Sequence, residues 1–266
     1  MDLERLTVAV CRIATDAGDY LVKERNTFRR EAVTEKHAHD YVSYVDKASE
    51  ERIVTALAAL LPEAGFITEE ETVAYHNEPY CWVVDPLDGT TNYIHDNAPY
   101  CVSIALRNPT ELLLGVVYEP CRNECFYGWK GGGAYCDGKR IHVSDISRVE
   151  DALVVTELPY NHRQYAHTAR HLLEQLYGRV GGIRMNGSAA VAICYVAAGR
   201  FDGWVESFIG TWDYSAAALL VQEAGGQVTD FYGNTHFMEG HHLIATNGFL
   251  HPLLQQLVNE VIPEGM

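Results

Sequence analysis

No apolar run in this 266-residue chain approaches the ~20 residues that span a bilayer, so no membrane helix is expected. No internal repeat, low-complexity stretch or long linker interrupts it. Basic residues are scarce: Lys and Arg total 20 against 36 Asp and Glu, a formal charge of −16. Such a chain repels nucleic-acid phosphates at long range, which argues against direct nucleic-acid binding. A small anionic substrate would meet the same repulsion unless cations sat in its site, a first hint of bound metal. None of the seven cysteines forms a CxxC pair. Cys121-x-x-x-Cys125 has no second Cys/His pair at finger spacing, so reduced, mostly buried thiols are expected. Gly-x-Ser-x-Gly is also missing, and no separate nucleophile motif replaces it. The first residues, MDLERLTVAVCRIATDAGDYLVKER, carry acids early and read as a helix rather than a signal peptide, which points to the cytoplasm.

What is present is ordinary globular material, 47% hydrophobic and 21% charged, enough for one large domain or two packed lobes. Leu3, Leu6, Val10, Ile13, Ala17 and Leu21 recur at helical spacing, and Lys47–Leu61 repeats the pattern until Pro62 ends it. The middle third is strand-like: CWVVD (81–85), CVSIALR (101–107), LLLGVVYEP (112–120), ECFYGW (124–129) and RIHVS (140–144). Short links such as Asn108-Pro109-Thr110 favour antiparallel hairpins. After Asp151 strands and helices alternate, with a polar helix near 161–177. The pattern predicts α/β layers in two lobes, 1–150 and 151–266.

The densest chemistry lies in CWVVDPLDGTTNYIH (81–95). An apolar strand runs into Asp85-Pro86-Leu87-Asp88-Gly89-Thr90-Thr91-Asn92, where two carboxylates three residues apart can approach one point. Gly89 has no Cβ, so backbone amides there can come close to an anion. Hard oxygen ligands beside a Gly-Thr amide cradle suit Mg²⁺ together with a phosphate. Upstream, an apolar strand ends in Glu69-Glu70-Glu71. Downstream, Gly210-Thr211-Trp212-Asp213 opens a helix, with Asp213 in the first turn where the macrodipole favours a carboxylate. Ala216, Ala217 and Ala218 give that helix a slim face.

Together these segments resemble the inositol monophosphatase family of metal-dependent, lithium-sensitive phosphatases. DPLDGTTNY is similar to its first signature and TWDYSAAALLVQEAGG to its second. The resemblance implies a layered αβαβα sandwich of the sugar-phosphatase type (α+β), a homodimer, and two or three Mg²⁺ ions. It implies that Glu69, Asp85 and the Leu87 carbonyl hold one ion, and that Asp85, Asp88 and Asp213 hold another, with Glu70 in support. Thr90 and Asp46 would orient and deprotonate the attacking water, and the Gly89 and Thr90 amides would grip the phosphate. Ser188 and Ala189 open a helix lining the site, and Glu206 matches the acid that binds a substrate hydroxyl. The expected partner is a small phosphorylated polyol or sugar, an inositol monophosphate first. A fructose 1,6-bisphosphate or 3′-phosphonucleotide phosphatase and a regulatory binding protein of the same fold stand as alternatives.

Two departures weaken the transfer of inositol specificity: Pro159-Tyr160 where the family has small residues, and a short His37-Ala38-His39-Asp40 segment. Gly133 to Lys139 fits G-x-x-x-x-G-K, but Arg140 stands where a nucleotide loop needs Ser or Thr and strand-like residues follow. A hairpin turn is expected there. His37 and His39 read as solvated loop residues, and His241-His242 as structural ones.

Overall fold

The computed structural model describes residues 1–28, 33–37, 40–76, 78–158 and 166–261. The elements in chain order are α1 (Leu3–Arg25), β1 (Val33–His37), β2 (Asp40–Ser43), α2 (Tyr44–Leu60), β3 (Ala64–Thr68), β4 (Tyr80–Asp88) and α3 (Thr90–Ile94). Then come β5 (Cys101–Arg107), β6 (Leu112–Glu119), β7 (Glu124–Trp129), β8 (Gly133–Cys136), β9 (Lys139–Ile141) and β10 (Leu153–Thr156). The chain ends with α4 (Ala166–Leu176), β11 (Gly182–Arg184), α5 (Ala189–Ala197), β12 (Gly203–Ser207), α6 (Thr211–Glu223), β13 (Gln227–Thr229), β14 (His242–Thr246) and α7 (His251–Asn259).

Strands β3 to β9 form a seven-stranded sheet in sequence order, while the second sheet has the order β11-β10-β12-β14-β13. α1 and α2 cover one face of the first sheet through Val10, Leu21, Ile53, Leu57, Trp82 and Ile104. α5 and α6 fill the space between the two sheets, with Val191, Tyr214 and Leu220 packed against Val117, Phe126 and Trp204. α4 and α7 close the outer face of the second sheet with Leu172, Leu254 and Val258. The result is the expected αβαβα sandwich.

Burial on both faces explains why β5 and β6 are apolar without alternation: all their residues are buried. Asp2 caps α1 by accepting from the Arg5 amide at 3.1 Å. The buried stripe of α1 is Thr7, Val10, Ala14, Ala17, Gly18 and Leu21. α2 starts three residues before the expected Lys47, because Ser43 and Asp46 form a capping box. The alanines of α6 do present a slim face. A Cβ on Gly115 would lie 2.4 Å from the Ala216 carbonyl oxygen, so only glycine lets helix and sheet approach this closely.

Two expectations need adjustment. The strand expected over 140–144 is confined to Lys139–Ile141, where it pairs with the four-residue β8 as a hairpin. That hairpin occupies the nucleotide-loop look-alike, as its strand-like tail implied. The helix expected near 161–177 is described from Ala166, residues 161–165 lying outside the described set. His37, expected in a loop, is instead the last residue of β1, paired with Asp40 of β2, while Ala38, His39, Pro159 and Tyr160 lie outside the described residues.

His251 gives the fold a pH dependence. It is buried, with Nε2 2.9 Å from Thr229 Oγ1 and Nδ1 3.0 Å from Thr246 Oγ1. Desolvation pushes its pKa down from 6.5 to about 4. A base whose folded pKa is depressed contributes full stability above its unfolded pKa, and that contribution is lost as pH falls from about 6.5 toward 4. Urea unfolding at pH 7 and pH 5 should therefore show a larger loss for wild type than for His251→Gln. Equal losses would mean that the imidazole charges freely inside the fold.

Candidate active site

The site collects where β4 leaves the sheet. Asp85, Asp88 and Asp213 each offer a carboxylate oxygen, and these three oxygens lie within 4.8 Å of one another. Asp85 and Asp88 come from the end of β4, where the pairing with β5 breaks register between them. That irregularity turns both side chains toward one point. Asp213 arrives from the first turn of α6, its Oδ2 accepting from the Gly210 amide at 2.8 Å.

Asp85 is almost wholly buried. Its Oδ1 accepts from the Leu87 amide at 2.9 Å, while its buried Oδ2 has no hydrogen-bond partner among the described residues. Burial pushes this carboxyl well above the usual carboxylate range, and the charges of Glu69, Asp88 and Asp213 push it further. A buried carboxylate oxygen without a partner, on a residue clustered with two other carboxylates, is costly unless a cation meets it. The donor set is hard oxygen throughout, which fits Mg²⁺.

Glu69 is not one of the three clustered residues, but its charge is the largest acting on Asp85. Its amide donates to the Val84 carbonyl at 3.3 Å, continuing the parallel β3–β4 pairing beyond Thr68. The loop that follows is tied down by Glu50, a fully buried residue of α2. Glu50 accepts from the Glu70 amide at 2.8 Å, and from the Thr72 amide and hydroxyl at 3.0 and 2.6 Å. Glu50 was not singled out from the sequence, although it lies one helical turn after Asp46.

Thr90 links the cluster to α2. Its hydroxyl lies 3.3 Å from Asp46 Oδ1 and 3.0 Å from the Leu87 carbonyl. Asp46 is itself held by the Ser43 amide and hydroxyl, at 2.8 and 2.7 Å. Gly89 has φ 88°, and a Cβ there would lie 3.0 Å from the Pro99 carbonyl and 3.1 Å from that of Gly187. This position requires glycine on both counts.

Ser188 and Ala189 lie at the start of α5 as expected. The Ser188 hydroxyl donates to Asp88 Oδ2 at 2.5 Å, the Ala190 amide donates to the same oxygen at 2.8 Å, and the Cys101 thiol lies 3.6 Å away. Burial raises the Asp88 carboxyl, and these three donors counter part of the shift. Asn92 reaches across to donate to the Pro99 carbonyl at 2.8 Å and the Asn186 carbonyl at 3.1 Å. Its place inside the DPLDGTTN string was the only sequence signal for that bridge.

Glu206 stands at the end of β12, its Oε2 buried without a partner among the described residues. Burial raises its carboxyl strongly, and the charges of Glu157, Asp213 and Asp88 add to the shift. Glu157 went unnoticed in the sequence because a lone acid after a strand carries no motif. Oε1 of Glu157 accepts from the Asn186 and Gly187 amides, at 2.5 and 3.0 Å. His241 and His242 serve the scaffold: His241 Nδ1 lies 3.0 Å from the Ile209 carbonyl, and His242 Nδ1 accepts from the Phe208 amide at 3.2 Å.

Sequence and structure comparisons relate the whole chain to known proteins. A profile of the inositol monophosphatase family matches residues 2–263. The Nus factor SuhB of Pseudomonas aeruginosa is 40% identical over 241 residues, covering 89% of each chain. The inositol-1-monophosphatase of Rhizobium meliloti is 35% identical over 252 residues, covering 93% of each. Among solved structures, the Thermotoga maritima IMPase superposes with a TM-score of 0.87 at 31% identity, covering 97% of this chain and 98% of that one. With the family profile spanning nearly the whole chain, the signatures in place and the fold shared, the protein belongs to the inositol monophosphatase family.

Proposed function

We propose that the protein hydrolyses a small phosphate monoester, an inositol monophosphate first among them. The site would lie between an N-terminal lobe, 1–150, and a C-terminal lobe, 151–266. The observation that carries this reading is the buried Oδ2 of Asp85, without a hydrogen-bond partner among the described residues, on a member of the three-carboxylate cluster. Glu69, Asp85, Asp88, Asp213 and the Leu87 carbonyl would hold two or three Mg²⁺ ions. Divalent cations held there supply charge neutralisation for the phosphate and acidify water.

The chain's own groups do the rest. With its proton committed to Asp46 or the Leu87 carbonyl, the Thr90 hydroxyl presents a lone pair that can accept a hydrogen bond from the attacking water. Asp46, fixed by Ser43, orients that hydroxyl and can take the proton in relay. Gly89 takes the left-handed turn, φ 88°, that would present the Gly89 and Thr90 amides to the phosphate. Ser188 and Ala190 hold the Asp88 carboxylate in place, so positioning precedes chemistry. Glu206 accepts a hydrogen bond from a hydroxyl of the leaving alcohol.

The direct test is a Mg²⁺-dependent phosphate-release screen over inositol, sugar and nucleotide monophosphates, repeated with Li⁺. Phosphate release from none of them would overturn the reading. Within that screen, Glu206→Gln should raise KM for a polyol phosphate several-fold more than for an aryl phosphate that lacks hydroxyls. Equal effects on both would remove Glu206 from the leaving-group pocket.

The likeness to relatives titled Nus factor SuhB favours a second reading, a regulatory binding role alongside catalysis. A turnover-deficient Asp85→Asn variant that still rescues cells lacking the gene would support it. Loss of rescue in step with loss of phosphate release would reduce the biology to hydrolysis.

A further inference from the structure

Glu157 and Glu206 leave the second sheet side by side. β10 and β12 run parallel, with Val154 opposite Gly203, Val155 opposite Trp204 and Thr156 opposite Val205. Glu157 and Glu206 are the next residues on each strand, so they continue one register position on neighbouring strands ~4.8 Å apart. Both lie near the carboxylate cluster. After desolvation, the largest influence on Glu206 is the charge of Glu157, followed by Asp213 and Asp88, and Asp88 acts on Glu157 in turn.

The two carboxylates differ in what satisfies them. Oε1 of Glu157 already takes two backbone amides, Asn186 and Gly187. Oε2 of Glu206 is buried and lacks a partner among the described residues. An orphaned acceptor asks its ligand for a donor, an O–H or N–H group. A phosphate dianion brings acceptors and negative charge, the wrong chemistry on both counts.

We infer that Glu157 is a specificity-determining residue: with Glu206 it makes an acidic, donor-seeking wall on the leaving-group side of the site. That wall admits the phosphate monoester of a neutral polyhydroxylated alcohol and turns away an ester carrying a second phosphate. The inference rests on the phosphatase reading of the same site, and it disfavours the bisphosphate and phosphonucleotide alternatives. Glu157 also has a positioning role. Its amide partners adjoin Ser188, which holds Asp88, and the Gly187 carbonyl faces Gly89.

Charge and positioning are separable, because glutamine keeps the amide-accepting oxygen while alanine removes it. Wild type, Glu157→Gln and Glu157→Ala are compared with Mg²⁺ on myo-inositol 1-phosphate and fructose 1,6-bisphosphate. Wild type should prefer the monophosphate by ~100-fold or more in kcat/KM, since discrimination against a ligand that leaves buried polar groups unpaired is large. Glu157→Gln should shrink that ratio by about tenfold, chiefly through KM for the bisphosphate. Glu157→Ala should in addition lower kcat for both esters, because Asn186 and Gly187 lose their acceptor. An unchanged ratio in Glu157→Gln, or a wild type indifferent between the two esters, overturns the inference. Calorimetric titration of both esters separates the two levels of the argument. Wild type that binds the monophosphate with Mg²⁺ but releases no phosphate sinks the phosphatase reading, and the ratio of Kd values then decides the role of Glu157.

Discussion

Asp85→Asn should reduce phosphate release by at least ~100-fold at saturating Mg²⁺, while leaving the fold intact. Asparagine has nearly the same shape, and its carbonyl oxygen can still accept from the Leu87 amide that now meets Oδ1 at 2.9 Å. The amide NH₂ then replaces Oδ2, the buried oxygen without a hydrogen-bond partner among the described residues, on a residue clustered with Asp88 and Asp213. A donor with partial positive charge repels a cation where a carboxylate attracted one. Losing a few kcal/mol of electrostatic stabilisation at the reacting phosphate corresponds to roughly two or more decades of rate. The metal-free variant should also melt higher than metal-free wild type, because one uncompensated buried charge has gone. Phosphate release and thermal unfolding on the same preparation check both halves. Near-normal turnover would show that Asp85 holds no essential cation.

How much of this was legible in the sequence depends on whether a residue acts through a motif or through a tertiary contact. The strands around 81–129 could be read because continuous apolar stretches and short turns mark a sheet covered on both faces. Asp85, Asp88, Gly89 and Thr90 stood out because local chain geometry alone gathers them. Asp213 needed the family resemblance to join them, being more than a hundred residues away in sequence. Glu50 and Glu157 were not legible at all. Each acts by accepting backbone amides of a distant loop, Glu70 and Thr72 in one case and Asn186 and Gly187 in the other. A carboxylate that caps a remote loop leaves no spacing pattern in its own segment. The start of α2 escapes the apolar pattern for a related reason. The apolar periodicity begins inside the helix, whereas the Ser43–Asp46 capping box sets its first turn.

Mg²⁺ should raise the melting temperature of the wild-type protein in a concentration-dependent way, and Asp213→Asn should blunt that rise. The protein enters the experiment at a formal charge of −16, with Asp85, Asp88 and Asp213 drawn into one cluster and Glu69 acting on it. Two like charges ~4 Å apart repel by roughly 4 kcal/mol at an effective dielectric near 20. That is a large share of a typical net stability of ~5–15 kcal/mol. Without metal the cluster must therefore loosen or take up protons. A ligand that binds only the native state stabilises it by about 2.7 kcal/mol per site at a hundredfold excess over its Kd. Asparagine at 213 keeps an oxygen for the Gly210 amide, which Asp213 now engages at 2.8 Å, so the first turn of α6 stays capped. What the variant loses is one negative charge at the cluster. It should be more stable than wild type without metal, and gain less when metal is added. The measurement is thermal unfolding of both proteins across a Mg²⁺ titration, with Na⁺ holding ionic strength constant so that general screening is removed. Equal Mg²⁺-dependent shifts in the two proteins would place the cation somewhere other than among these carboxylates, and so would the absence of any shift beyond the Na⁺ control.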